Sequence, residues 1–202
     1  MSNFTAEIKG RTLEYYDNEH LYVVDGVVLP SITQMLKFKF SGKYSGVPRE
    51  TLQRAAEAGT AVHEAIQRYC EAGEESDLKE VRNFKFLQKQ YRFEVMANEV
   101  PVILFLDGQP VSAGRLDLVI RMIMGKDGNL GLADIKRTAT LDKEYLAYQL
   151  NLYRIAYQQS YGCHVTFLKG VHLRENVRKF VDIPINEEMA LQLVREYQEA
   201  KK

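Results

Sequence analysis

Short runs of alternating apolar and polar residues occupy the first thirty positions. Two or three short strands are predicted at residues 13–16, 21–24 and 27–29. The Asp25-Gly26 pair between the last two tolerates the positive φ angles of a type I′ hairpin turn. Pro30 ends the region, and the Ser31 hydroxyl can cap a short helix through Leu36. These residues predict a small β-hairpin appendage followed by a short helix.

Apolar residues at helical spacing continue from residue 48 to residue 91. Pro48 suits the first turn of a helix. Gly59-Thr60 either opens a second helix or continues the first one, through Tyr69. Ser76 is a good N-cap for a third helix, whose apolar stripe reaches Tyr91. This stretch is therefore predicted to be helical.

The pattern then changes mainly to strands. They are predicted at residues 99–106, 111–124, 130–138, 164–173 and 177–183. Two further helices are predicted at residues 141–161, ended by Gly162, and from an Asn186 N-cap to Ala200. The core order α, β, β, β, α, β predicts an α/β fold, with a mixed central sheet flanked by helices. The appendage takes residues 1–45 and the core residues 46–202, and we expect one compact domain overall.

Composition and charge restrict the function. The chain has 202 residues, and 27 lysines and arginines balance 27 aspartates and glutamates. Zero net charge counts against binding nucleic acid mainly through phosphates. Two cysteines without a CxxC pair exclude a four-cysteine metal site and indicate a reducing compartment. The most apolar stretch, residues 100–106, is far shorter than the roughly 20 residues of a membrane span, so we expect a cytoplasmic protein without a membrane partner.

Two predicted strands carry aspartates in apolar surroundings. Asp134 and Lys136 lie two residues apart and project from one face of their strand. In the preceding strand Asp117 lies among apolar residues, where a lone charge is costly unless it is paired or bound to a metal. Two aspartates favour Mg²⁺ or Mn²⁺, which stabilises charge on a phosphodiester and lowers the pKa of a bound water. These residues indicate metal-assisted phosphodiester hydrolysis.

The turn between these two strands decides whether the aspartates meet. A four-residue loop at 125–128 places Asp117 opposite Lys136, with Asp134 as a diagonal neighbour at roughly 7–8 Å. A tight two-residue turn places Asp117 opposite Thr138 instead, about 13 Å from Asp134 along the strands. Only the first register lets the two carboxylates share one cation.

Four motifs together resemble a known nuclease superfamily. Asp117, followed by Asp134-Ile135-Lys136, resembles the PD-(D/E)XK motif, and the predicted element order resembles the restriction-endonuclease-like core of that superfamily. Gly59-Thr60-Ala61-Val62-His63 looks like the helix histidine of its RecB-type branch. Gln149-Leu150-Asn151-Leu152-Tyr153 looks like the QxxxY motif of the same branch. The set indicates a RecB-type nuclease.

The N-terminal segment narrows the resemblance. Residues 16–26, followed by Pro30-Ser31-Ile32-Thr33, are similar to the start of bacteriophage and prophage exonucleases of this branch. The whole resemblance covers about residues 15–170. It implies a Mg²⁺-dependent exonuclease that acts on double-stranded DNA with a free end, in recombination or repair. The cell would be a bacterium or a phage-infected host.

Two other functions and two further partners stay open. The alternatives are an endonuclease of the same fold and a non-catalytic DNA- or protein-binding module that retains it. The resemblance is also compatible with a single-strand annealing protein as a partner and with a homo-oligomer.

The resemblance implies a metal site. It assigns His63, Asp117 and Asp134 to a Mg²⁺ or Mn²⁺ ion, with the main-chain carbonyl of Ile135 as a further ligand. Glu99 on the first core strand would add a carboxylate beyond these direct ligands. The cysteines of the iron-sulfur members of the branch are missing, so no iron-sulfur cluster is expected.

The resemblance also implies the catalytic residues, which include Asp117 and Asp134. Lys136 would be the catalytic lysine, Gln149 would orient Lys136 or the water, and Tyr153 would line the site. Arg137 stands after the lysine where the branch often has threonine. This departure leaves the assignments unchanged.

Aromatic and basic residues outside the motifs have two interpretations. Tyr145, Tyr148, Tyr153 and Tyr157 form either a stacking platform for bases or part of the core, and their helical spacing favours the core. Two basic groups either contact phosphates or form a solvated face: residues 37–40 with Lys43, and Lys85 with Lys89 and Arg92. For a nuclease of zero net charge we expect separated charges, with acid at Asp117 and Asp134 and a basic rim.

Overall fold

The computed structural model describes residues 3–43, 45–123 and 129–201, which form two sheets and five helices. The strands are β1 (Phe4–Ile8), β2 (Arg11–Tyr16), β3 (Leu21–Val24), β4 (Val27–Leu29), β5 (Phe93–Leu106), β6 (Gln109–Met122), β7 (Leu130–Lys136), β8 (Phe167–Arg174) and β9 (Val177–Ile183). The helices are α1 (Ile32–Lys39), α2 (Arg49–Ala72), α3 (Lys79–Tyr91), α4 (Lys143–Tyr161) and α5 (Glu187–Glu199).

The larger sheet is mixed, with the strand order β5-β6-β7-β8-β9. Its neighbouring strands are antiparallel except for β7 and β8, which are parallel. A parallel pair needs a long crossover connection, and α4 lies in the connection from β7 to β8. Helices pack on both faces of this sheet. The predicted α/β class is confirmed.

The N-terminal sheet is antiparallel, with the order β1-β2-β3-β4. The three strands predicted within residues 13–29 are present as β2, β3 and β4, and β1, which lies before that range, adds a fourth that was not predicted. Phe4, Ala6 and Ile8 alternate with polar residues along β1, yet only Ile8 is buried. A five-residue edge strand with a single buried side chain has little hydrophobic signal.

The predicted helices are present, with two adjustments. Gly59 continues a single helix, α2, and does not open a second one. α3 begins at Lys79 after an N-cap at Leu78, so the Ser76 N-cap prediction is wrong. The Ser76 hydroxyl instead accepts a hydrogen bond from the Leu78 N–H at 3.3 Å. The Asn186 N-cap of α5 is confirmed, because its side chain accepts from the Met189 N–H.

Five strands have boundaries that differ from the prediction. β2 begins two residues earlier than predicted, and β6 begins and ends two residues earlier. β5 begins at Phe93, six residues earlier than predicted, because Glu94, Asn98 and Glu99 interrupt the apolar pattern within the strand. β7 ends at Lys136 rather than residue 138. β8 begins at Phe167 rather than residue 164.

Two apolar clusters sandwich the larger sheet. The first joins it to α1, α4 and α5, with Leu116, Leu132 and Leu150 among its buried members. The second joins the opposite face to α2 and α3, through residues such as Val62 and Ala133. The alternation along β7 therefore gives its two faces to two different cores.

The N-terminal region shares these cores. A third cluster packs the N-terminal sheet against Ile103 and Ala113 of β5 and β6. Ile32, Met35 and Leu36 of α1 are fully buried in the first cluster. Residues 1–45 thus contribute described side chains to the same interior as the rest of the chain. In the described part of the chain, no helix combines the length and the apolar character that a membrane crossing needs.

Candidate metal and active site

The register of β6 and β7 places two aspartates side by side. Leu118 pairs with Ala133, so Asp117 and Asp134 are the next residues on the two neighbouring strands. Both predicted registers are wrong, because the connection is longer than either turn and Met122 still donates to the Asn129 carbonyl at 3.4 Å. Residues 125–128, where those turns were predicted, lie outside the described residues. The longer connection shifts the pairing by two positions and brings the aspartates closer than expected.

Glu99 on β5 extends this pair to a row of three carboxylates. Asn98 pairs with Leu118 and Val100 pairs with Leu116, so Glu99 and Asp117 lie between these pairs on adjacent strands. Glu99 has a φ of 48°, in the left-handed region that side chains other than glycine rarely adopt. Such strain persists only where the surroundings enforce it, and it is concentrated at functional sites.

Arg115 holds one oxygen of Glu99. Its Nε lies 2.7 Å from Glu99 Oε2, and both side chains are largely buried. The guanidinium carbon also lies 5.7 Å from the ring centroid of Phe4 and 5.4 Å from that of Tyr15. The N-terminal sheet therefore contacts the arginine that orients Glu99.

Helix α2 brings His63 to the carboxylate row. Its neighbour Val62 is buried in the cluster that contains Ile135, which fixes this turn of the helix against the sheet. His63 Nδ1 lies 3.6 Å from Asp117 Oδ2 and 3.9 Å from Glu99 Oε1. His63 Nε2 lies 3.1 Å from the Ile135 carbonyl oxygen. The imidazole therefore faces both the carboxylate oxygens and the main-chain carbonyl oxygen that were predicted from the sequence to lie at the metal.

Asp117 and Asp134 differ in their partners. Asp117 Oδ2 accepts a hydrogen bond from the Ile135 N–H at 2.7 Å, which fixes the carboxylate where the backbone ladder stops. Asp134 is 2% exposed and forms an ion pair with Lys136. Both of its oxygens nevertheless lack a hydrogen-bond partner of good geometry among the described residues. A buried carboxylate in this condition is costly unless another cation approaches it.

Burial and like charges set the protonation of the site. Burial alone would lower the pKa of His63, but Asp117 and the neighbouring carboxylates raise it to about 9. Burial raises the pKa of Asp134 to about 6, and the charge of Asp117 adds to this effect. Burial would lower the pKa of Lys136, yet Asp134 and Asp117 raise it. At neutral pH His63 and Lys136 are therefore protonated, and Asp134 is ionised.

Helix α4 packs on the face of the sheet opposite to α2 and carries Gln149 and Tyr153. Gln149 is 8% exposed, and its Oε1 has no hydrogen-bond partner among the described residues. A Cβ atom at Gly114 would lie 3.0 Å from the Tyr153 ring, so glycine lets that ring pack closely on β6. Burial raises the pKa of Tyr153, and the charges of Asp117 and Asp134 add to the effect. Tyr153 therefore remains a neutral hydroxyl beside the carboxylates.

The residues present fit a divalent cation. Ligand atoms of His63, Glu99 and Asp117 lie within 4.8 Å of one another. Carboxylate oxygens suit Mg²⁺, and imidazole with carboxylate suits Mn²⁺. The sequence prediction placed Asp134 in the direct set and Glu99 outside it, whereas the compact group contains Glu99. Asp134 lies beside the group, paired with Lys136.

Glu99 and Arg115 were the least evident from the sequence. Glu99 was predicted only as an outlying carboxylate, and Arg115 was given no role. Arg115 and Asp117 lie two residues apart in an otherwise apolar strand, as Asp134 and Lys136 do in the next one. That repeated alternation was the available signal, but connecting it to Glu99 needs the register of β5 on β6.

Charge is separated at the centre but mixed elsewhere. The acidic row meets Lys136, Arg115 and His63 as expected. On the α3 side, Lys85 pairs with Glu75 and covers the Tyr69 ring, as in a solvated face. A basic rim around the site is therefore not evident in this group.

Arg137 has a structural partner. Its Nε lies 2.8 Å from Oε1 of Glu80, a residue that is 3% exposed. The pair borders a cavity of about 380 Å³ between α2, the start of α3 and the β8–β9 turn. The carboxylate row is not among the residues that line this cavity. Arg137 thus provides a partner for a buried glutamate.

Comparison with known proteins adds little to this picture. No model of a known protein family matches the sequence, and no curated protein matches it significantly. Among solved structures, the crystal structure of SSO0001 is similar over 85% of this chain and 76% of its own, with 13% identity and a TM-score of 0.42. What the fold and the site define is an α/β protein with a candidate metal centre on its mixed sheet.

Proposed function

We propose that this protein is a metal-dependent deoxyribonuclease of the PD-(D/E)XK superfamily and its RecB-type branch. The observation that carries the proposal is the row of Glu99, Asp117 and Asp134 across three strands, joined by Lys136 and His63. Asp134 is buried, Glu99 and Asp117 are partly buried, and the cations Arg115, Lys136 and protonated His63 face them. A dense cluster of charged groups with shifted pKa values is typical of a functional site. The preferred activity is that of a phage-type exonuclease on double-stranded DNA.

Different side chains would hold the metal and act on the substrate during hydrolysis. Asp117, Glu99 and His63 would hold the metal, with Asp134 and the Ile135 carbonyl beside them. A bound Mg²⁺ or Mn²⁺ supplies an activated water and neutralises charge on the phosphodiester. In the reaction the oxygen of water bonds to phosphorus, one P–O ester bond breaks, and the leaving sugar oxygen takes up the proton that the water gives up.

Lys136 and Gln149 act on the water and the phosphate. Because Lys136 keeps its proton, it donates hydrogen bonds and stabilises the negative charge on the phosphoryl oxygens. It is therefore not the base in this proposal. The buried Gln149 Oε1 is an acceptor that can orient the water or the lysine ammonium. Tyr153 packs under the site and keeps its ring against β6.

The direct test is cleavage of end-labelled linear duplex DNA with Mg²⁺ or Mn²⁺. We expect Asp134→Asn and Lys136→Met each to reduce the rate by about a thousandfold. The matched control is the ion pair of the partly buried Lys169 and the exposed Asp182 on β8 and β9, 2.5 Å apart. Lys169→Met and Asp182→Asn should keep the wild-type rate.

The substrate form separates the related activities. An exonuclease degrades linear duplexes and leaves covalently closed circles intact, whereas an endonuclease also cuts circles. A wild-type protein that cuts neither form with either metal would refute the proposal and favour a binding module. Full activity in Asp134→Asn would refute the assigned site.

A further inference from the structure

Three aromatic rings and two lysines form a continuous surface where α1 ends and α4 begins. We name Lys39, Phe40, Lys43, Tyr145 and Tyr148 the aromatic-lysine surface. The Phe40 ring centroid lies 5.2 Å from that of Tyr145 and 5.7 Å from that of Tyr148. Lys43 Nζ lies 4.7 Å from the Tyr145 centroid, and Lys39 Nζ lies 5.3 Å from the Tyr148 centroid. All three rings are only partly buried against the core.

The segment that supplies three of these five residues is locally basic. Residues 26–48 contain three lysines and no aspartate, glutamate or arginine, within a chain of zero net charge. Lys43 pairs with Asp142, and Lys39 lies 4.0 Å from Glu196. Exposed pairs of this kind contribute little to stability and are readily exchanged for a phosphate.

The aromatic-lysine surface is adjacent to the candidate active site. Tyr148 directly precedes Gln149 on α4, and Gln149 is buried with an Oε1 that has no hydrogen-bond partner among the described residues. Leu146, which follows Tyr145 on α4, packs against Gly170, the residue that pairs with Asp134: a Cβ atom at Gly170 would lie 2.6 Å from the Leu146 side chain. A strand lying across the rings would therefore lead to the carboxylate row.

We infer that the aromatic-lysine surface binds single-stranded DNA, with bases stacked on the rings and phosphates on the lysines. The inference rests on the proposed nuclease function. It assigns this surface to the single DNA strand that enters or leaves the active site. A lysine over an exposed ring is a weak contact, whereas stacking of one base changes affinity by roughly 5- to 150-fold. Bases can therefore displace the lysines toward the phosphates. Duplex bases already stack on one another, so the rings favour a single strand.

The test is the binding of fluorescently labelled d(T)₁₂, measured by anisotropy in EDTA so that no cleavage occurs. Tyr148→Leu removes a ring but keeps an apolar side chain, and we expect about tenfold weaker binding. The double variant Lys39→Gln/Lys43→Gln should lower the slope of log affinity against log salt by about 1.4, because two phosphate contacts are lost. These lysines are exposed, so their replacement leaves the fold intact even where Tyr148→Leu is unstable.

Lys85→Gln is the matched control, since Lys85 Nζ also lies over a tyrosine ring, 4.4 Å from the Tyr69 centroid, but between α2 and α3. It should bind d(T)₁₂ like the wild type. A 12-base-pair duplex should be bound equally by Tyr148→Leu and the wild type.

Unchanged d(T)₁₂ binding in the double-lysine variant overturns the inference, as does an equal loss in Lys85→Gln. An equal loss of duplex binding in Tyr148→Leu overturns the stacking role. Cleavage of linear duplex with Mg²⁺ is assayed in parallel. If the protein cuts DNA but fails these binding tests, the proposed nuclease function stands and the DNA-binding role of the surface is refuted. If it passes the binding tests but does not cut DNA, the DNA-binding role stands and the nuclease function is refuted.

Discussion

At the scale of single residues, protons and metal compete for the same atoms. His63 has a pKa of about 9 and Asp134 of about 6, so a cation that binds both groups displaces a proton from His63 at neutral pH and from both groups below pH 6. We expect Mn²⁺ affinity to rise about tenfold per pH unit between pH 6 and 9, and more steeply below pH 6. Titration calorimetry in two buffers of different ionisation enthalpy measures the protons released.

Two variants assign these protons. His63→Gln should flatten the dependence between pH 6 and 9, and Asp134→Asn should remove the steeper part below pH 6. The same slope in His63→Gln as in the wild type would show that His63 is not a ligand.

At the scale of elements, Gly131 fixes the contact between β7 and β8. Gly131 pairs with Phe167, and a Cβ atom there would lie 2.2 Å from the Phe167 ring. We expect Gly131→Ala to lower the free energy of unfolding by about 1–3 kcal/mol, because the ring must move within a packed cluster. Urea denaturation followed by circular dichroism measures the change.

Gly59→Ala is the matched substitution in α2. A Cβ atom at Gly59 meets nothing within 4 Å, and the residue lies in the helix interior. Alanine should raise the free energy of unfolding there by about 0.5–1 kcal/mol. If the free energy of unfolding fell in both variants, backbone entropy and available space would not explain the effect of alanine at these positions. A stable but inactive Gly59→Ala protein would show that the bare backbone is needed near the substrate.

Periodicity predicted the elements best where end signals agree with it. Asn186 and Gly162 limit their helices as expected, since each satisfies or ends the backbone hydrogen bonds there. Register was not predictable, because it depends on the length of the connection between β6 and β7. The Asp127-Gly128 pair favours a short turn, while the observed pairing follows the packing of both sheet faces.

The candidate site, too, could be predicted from the sequence only where it does not depend on strand register. His63, Asp117, Asp134 and Lys136 could be brought together from motifs alone, and they do lie together. The place of Glu99 depends on pairing across β5 and β6 and on a left-handed backbone, which no local pattern specifies.

At the scale of the whole molecule, we expect one cooperative unfolding transition. Cluster contacts join the N-terminal sheet to Ile103 and Ala113, and α1 lies in the main core. The chain has 12 tyrosines and no tryptophan. Tyr15 and Tyr22 lie in the N-terminal sheet, and Tyr153 and Tyr157 of α4 pack against the larger sheet, so tyrosine fluorescence reports on both regions. Its urea midpoint should coincide with that of far-ultraviolet circular dichroism. Two separate midpoints would show that residues 1–45 unfold independently.

Selection for stability alone would remove Glu99. Its left-handed backbone is unfavourable by about 1–2 kcal/mol for any residue but glycine. We expect Glu99→Gly/Arg115→Met to raise the free energy of unfolding by about 1 kcal/mol while abolishing Mn²⁺ binding, because the strain and a buried ion pair are both removed. Chemical denaturation and calorimetry measure the two effects.

Glu99→Gln is the control, since it keeps the strain and removes the charge, and it should gain no stability. A double variant with a lower free energy of unfolding than the wild type would contradict the proposal that Glu99 lowers stability in exchange for metal binding. In a directed-evolution experiment that screens for heat resistance but not for activity, position 99 should therefore be among the first to change to glycine. The selected variants would be stable proteins that no longer bind the metal.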